Sequence, residues 1–136
     1  MKFLALFLCI AFFSLGGRQE TRFVTLEVFI DSQANKLAAW QLEVEDTEGR
    51  AQLVGIEGGD HPAYQDPPAY DPKALQGGKV ILASFQLAED LPQGRTRVAR
   101  LSFAIEGPKE PVFVCTPIVA AQADGQEIPI QTEVRQ

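Results

Sequence analysis

The stretch that most constrains this chain is Leu37–Gly59, LAAWQLEVEDTEGRAQLVGIEGG. Ala38, Trp40, Leu42 and Val44 alternate there with Ala39, Gln41, Glu43 and Glu45. A period of two sends one set to each face, the pattern of a half-buried β-strand. Asp46-Thr47-Glu48-Gly49 then reads as a turn, with Gly49 free to take a positive φ. A second strand, Arg50–Glu57, closes on Gly58-Gly59. The apolar face of this unit needs a partner layer.

The remaining segments supply that layer. Arg22–Asp31 alternates Val24, Leu26, Val28 and Ile30 against Phe23, Thr25, Glu27 and Phe29. Lys79–Leu87 is apolar on both faces, which predicts a central strand. Arg95–Glu106 places Ala99, Leu101, Phe103 and Ile105 inward and Thr96, Arg100 and Ser102 outward. Pro111–Ala121 is a strand bent or interrupted at Pro117. Asp124-Gly125 is a hairpin signal that returns the chain into Glu127–Val134, where Pro129 argues for an edge. About seven strands at short spacing, without a helix-period segment after the N-terminal run, predict an antiparallel β-sandwich of jelly-roll or immunoglobulin-like type.

At 136 residues the chain has room for one domain. Its start differs from the rest. Met1-Lys2 precedes the apolar run Phe3–Phe13, and Ser14-Leu15-Gly16 offers small residues for cleavage. That is the layout of a signal peptide, residues 1–16, ahead of a domain over 17–136. The run is shorter than the ~20 apolar residues that span a bilayer. The protein is therefore expected to be secreted, or held in the periplasm or cell envelope, with no membrane insertion after cleavage. Loss of Lys2 leaves 11 basic against 18 acidic side chains, a net charge of −7. Such a domain repels nucleic acid and anionic lipid. Cys115 would be its sole cysteine, without an internal disulfide, and reads as a small buried hydrophobe.

Catalytic chemistry finds little support. No G-x-S-x-G, H-E-x-x-H or C-x-x-C motif is present, and the chain has a single histidine. The expectation is a non-catalytic protein with no cofactor.

Asp60–Gln76, DHPAYQDPPAYDPKALQ, is the segment that stands apart. Four prolines, three aspartates, two tyrosines and the histidine fall within 17 residues. Proline density excludes a central strand or a long helix, although Asp71-Pro72 can open a single helical turn. A loop this long in a compact domain is usually functional or disordered; its prolines and aromatics favour order. Asp60, Asp66 and Asp71 could offer oxygen to Ca²⁺, but turn and cap roles account for them and no metal is expected. His61, Tyr64, Asp66, Tyr70 and Asp71 are the candidate partner-binding residues. Tyr64 and Tyr70 either contact a partner or pin the loop to the sandwich. Trp40, flanked by Ala38, Leu42 and Val44, reads as core. The outward polar residues Gln41, Glu43, Arg100 and Ser102 are a second place for a protein partner.

Taken together, LAAWQLEVEDTEGRAQLVGIEGG followed by GGKVILASFQLAEDLPQGRTRVARLSFAIEG resembles cohesin-like domains, across roughly residues 22–134. The resemblance rests on strand and turn patterns and implies a nine-stranded jelly-roll-type sandwich related to some carbohydrate-binding modules. The family's tyrosine-aspartate-proline after the aromatic strand is here Glu45-Asp46-Thr47, and no binding residue is carried over. The function it implies is a cohesin-type interaction module that binds a protein partner in an extracellular or envelope assembly. The alternative is a carbohydrate-binding module recognising a polysaccharide.

Overall fold

The computed structural model describes residues 20–136. The segment read as a signal peptide lies outside them. Seven strands form two antiparallel sheets packed as a β-sandwich. The strands are β1 (Thr21–Asp31), β2 (Ala39–Asp46), β3 (Ala51–Gly58), β4 (Lys79–Phe85), β5 (Arg95–Glu106), β6 (Phe113–Ala121) and β7 (Gln131–Arg135). One sheet runs β3-β5-β1-β7 and the other β4-β2-β6. The described residues contain seven strands, against the nine that the resemblance implies. No helix among them is long and apolar enough to cross a membrane.

The core lies between the sheets, where the period-two pattern put it. Leu26, Val28 and Ile30 of β1 and Leu101, Phe103 and Ile105 of β5 meet Trp40, Leu42 and Val44 of β2 and Val80 and Leu82 of β4. Removing these faces from water is the main force holding the layers together.

Two expectations are corrected. β4 is not central; it is an edge strand of the three-stranded sheet. Its second apolar row therefore faces outward, and Ile81, Phe85 and, just beyond, Leu87 are exposed. Thr96 does not share a face with Arg100. A β-bulge shifts the β1–β5 register between Val28 and Phe29, so Ala99 opposes Val28 while Arg97 opposes Phe29. The extra residue, Val98, is buried beside Ala99, and Thr96 moves to the side of Ile30. A one-residue slip exchanges the faces. It also brings Arg97 and Arg100 together. Both donate to Glu27 Oε1, at 2.9 and 3.0 Å, and these bonds hold the Glu27 carboxyl below its usual range.

The last strand is shorter than expected. After the turn at Gly125 (φ 84°), Glu127 makes one bridge to Ala121. Pro129 then sits in the crossing between the sheets, and β7 begins at Gln131 as the edge of the other sheet.

Asp46 ties the β2–β3 turn to the segment entering β6. Its Oδ1 accepts from the N–H groups of Glu48 (3.1 Å) and Val112 (3.0 Å), and its Oδ2 from Arg50 (2.6 Å) and Ala51 (2.7 Å). Burial opposes ionisation of this carboxyl, but the four backbone donors outweigh it and hold the pKa below the usual aspartate value.

Candidate functional site

The Asp60–Gln76 segment closes one side of the sandwich. It starts at the edge of β3 and ends beside β4. Its main chain pairs with both sheets: Ala69 with Ala83 of β4, and Gln76 and Gly77 with Leu53 of β3. Two short 3-10 turns, Pro62–Tyr64 and Pro72–Ala74, give it shape. The expected turn after Asp71 is the second of them.

Gly58 and Gly59 set the entry. A Cβ on Gly58 would lie 2.1 Å from the Gln65 carbonyl oxygen, and one on Gly59 would lie 2.0 Å from that of Arg97. Only glycine permits this approach of three backbone segments.

The candidate residues divide between structure and surface. Tyr64 is 2% exposed. Its hydroxyl donates to the Leu37 carbonyl at 2.6 Å, its ring meets Trp40 edge-on at 6.0 Å between centroids, and burial pushes its pKa up. It pins the loop. His61 accepts the Ala63 N–H on Nδ1 at 3.1 Å, capping the first turn. Its Nε2 faces Asp90 Oδ1 at 3.7 Å. Asp66 is exposed. Asp71 caps the second turn by accepting from the Lys73 N–H. Tyr70, half-buried against the core, lines a shallow groove of about 570 Å³ with Asp71, Lys73 and, across it, Lys79, Ile81 and Ala83 of β4. Of the five candidates the structure therefore brings Tyr70 and Asp71 to one recess. No group of three or more His, Cys, Asp or Glu side chains among the described residues is placed to hold a metal ion.

The groove opens onto the outer face of the three-stranded sheet. Directly opposed residues form rows across it: Ile81–Glu43–Thr116, Ala83–Gln41–Val119 and Phe85–Ala39–Ala121. Ten large hydrophobics are exposed among the described residues. Seven lie on β4 or β6 or within two residues of them: Ile81, Phe85, Leu87, Val112, Val114, Ile118 and Val119. They flank a polar column, Gln41, Glu43 and Glu45, with Lys79 Nζ 3.4 Å from Glu43.

Strand addition at β6 is disfavoured. A bulge opposite Gln41–Leu42 and Pro117, which lacks an N–H, interrupt that edge.

The four outward polar residues do not share a surface. Gln41 and Glu43 belong to the three-stranded sheet, Arg100 and Ser102 to the other. Cys115 is half-buried on β6, and burial pushes its thiol pKa up against a smaller opposing effect of Thr132. Sequence reasoning missed the apolar outer face. Its signal was the double-sided apolar run of β4, read as a central strand. Comparison with known families, characterised proteins and solved structures returns no match.

Proposed function

We propose that this protein is an exported, non-catalytic interaction module of the cohesin type, which binds a protein partner through the outer face of β4-β2-β6. The observation that carries this reading is the gathering of seven of the ten exposed large hydrophobics on and beside that one sheet. Three strands at their usual spacing and rise give a face on the order of 300 Å², comparable to the largest patch on an ordinary monomer, which is often functional. The adjoining groove with Tyr70 and Lys73 extends it toward the ~800 Å² that each partner of a stable complex contributes.

The charge pattern favours a partner unlike this chain. Glu43 and Glu45 stand in the middle of the patch, and Lys79 serves Glu43. A second copy laid face to face would bring two acidic columns together. A partner with an apolar surface and a basic side chain for Glu45 completes both the apolar and the electrostatic contacts.

The test immobilises the wild-type domain and the double variant Ile81→Asp, Val119→Asp, and exposes both to proteins exported by the source cells. The expected result is a protein held by the wild type, released by the double variant and weakened by Glu45→Lys, with melting temperatures unchanged. If no protein distinguishes wild type from double variant, the reading fails.

A further inference from the structure

The outer face of the four-stranded sheet carries a second and chemically different surface. Its middle is a floor of small residues. Thr25 on β1 opposes Ser102 on β5, which opposes Gly55 on β3. These cross three adjacent strands, so the floor is about 10 Å wide. Phe23 rises at one end, 71% exposed, with only Ala104 opposite it on β5. At the other end stands the row Glu57–Arg100–Glu27, with Gln136 at the rim of the recess.

That polar row is held in place yet retains hydrogen-bonding capacity. Glu27 fixes Arg100 through NH2 at 3.0 Å. Arg100 NH1 and Glu57 Oε2 lie 3.9 Å apart, beyond hydrogen-bonding distance. A preset donor and an acceptor therefore sit side by side at the edge of the floor.

From this geometry we infer that the trough binds a neutral oligosaccharide. A sugar combines an apolar C–H face with hydroxyls that both donate and accept. Phe23 offers an aromatic face for the first. Thr25, Ser102, Arg100 and Glu57 offer donors and acceptors for the second. Other ligand classes fit worse. An extended peptide would add along a free strand edge; β1 pairs with β7 only from Glu27 to Asp31, so such a peptide would lie beside the floor rather than across it, whereas β5, at the centre of the floor, is paired on both sides. An anionic polymer meets Glu27, Glu57 and a chain of net charge −6. A compact apolar ligand finds no enclosed cavity here. Phe23 and Glu27 are four residues apart on β1, or about 14 Å, longer than a single sugar ring, so a short chain is the fitting ligand.

This surface lies on the opposite sheet from the proposed protein-binding face, so the two readings fail separately. The experiment is calorimetric titration of the full domain with cellohexaose, xylohexaose, mannohexaose and laminarihexaose, with polygalacturonate as the anionic probe. At least one neutral hexasaccharide is expected to bind. Phe23→Ala and Arg100→Met should each weaken it by about tenfold or more, Phe23→Trp should retain it, and Ile81→Asp with Val119→Asp should leave it unchanged. Phe23 is exposed, so its replacement leaves the fold intact, which the melting temperature checks. Failure of all four neutral chains to bind, binding that Phe23→Ala does not weaken, or equal binding of polygalacturonate would overturn the proposal.

Discussion

Tyr64 and Tyr70 belong to one loop, yet the two ends of that loop work differently. The first, Asp60–Gln65, is locked into the sandwich. Gly58 and Gly59 admit it at distances that exclude a Cβ, the Gly59 N–H donates to the Tyr64 carbonyl at 2.7 Å, and the Tyr64 ring completes the core under Trp40. The second, Asp66–Gln76, is held mainly through its main chain, at Ala69 and Gln76. Its side chains Asp66, Asp71 and Lys73 stay exposed, and Tyr70 lines a groove. A loop can thus cover two sheet edges and still present a surface, provided that backbone bonds do the covering.

Mutation should separate the two ends by size of effect. Gly59→Ala is expected to cost the most, more than about 4 kcal/mol, because backbone rather than a yielding side chain stands in the way. Urea unfolding measures it, and a loss near 1 kcal/mol would mean that the entry can shift freely. Tyr64→Ala should follow at roughly 3–5 kcal/mol through loss of a buried ring. Tyr64→Phe should lose about 1–2 kcal/mol by stranding the Leu37 carbonyl. Tyr70→Ala should cost about 1 kcal/mol or less, while weakening partner capture. A large stability loss at Tyr70 would erase the distinction between the two ends.

Asp46 and Asp71 repeat the contrast in carboxylates. Asp46 accepts from four backbone N–H groups in a buried site, whereas Asp71 caps one exposed turn. Because the Asp46 pKa is lowered in the folded state, its stabilisation is fully present above the ordinary aspartate value near 3.8. It is lost as pH falls through the folded value. Asp46→Ala should cost roughly 2–3 kcal/mol at neutral pH and flatten the acid limb of a stability-versus-pH curve. Asp71→Ala should cost about 1 kcal/mol or less at neutral pH, the loss of a single exposed cap.

Much of the fold was legible because a half-buried strand writes its two faces at alternate positions. Leu26, Val28 and Ile30, and likewise Trp40, Leu42 and Val44, entered the core as the pattern predicted. The failures share a cause. Alternation carries no mark of a bulge, so Thr96 and Arg100 were placed together, although Val98 intervenes as an extra residue. An apolar outer row reads the same whether another layer covers it or not, so β4 looked central. Gln41 and Arg100 both pointed away from the core, but the chain alone could not say that they do so from opposite sheets.

For the candidate site, the chain by itself marked the proline-rich loop and proposed its five residues, because proline and aspartate have strong local conformational preferences. It also marked most of the strands and most of their inward residues, since burial of alternate side chains is a local property of the sequence. Only the tertiary structure decided that Tyr64 belongs to the core, that Tyr70 and Asp71 line a groove with Ile81 and Lys79, and that apolar residues of β4 and β6 share one outer face on either side of the β2 column. Those facts depend on which strands become neighbours. That choice is made by long-range packing and pairing of the two sheets, which no local pattern encodes.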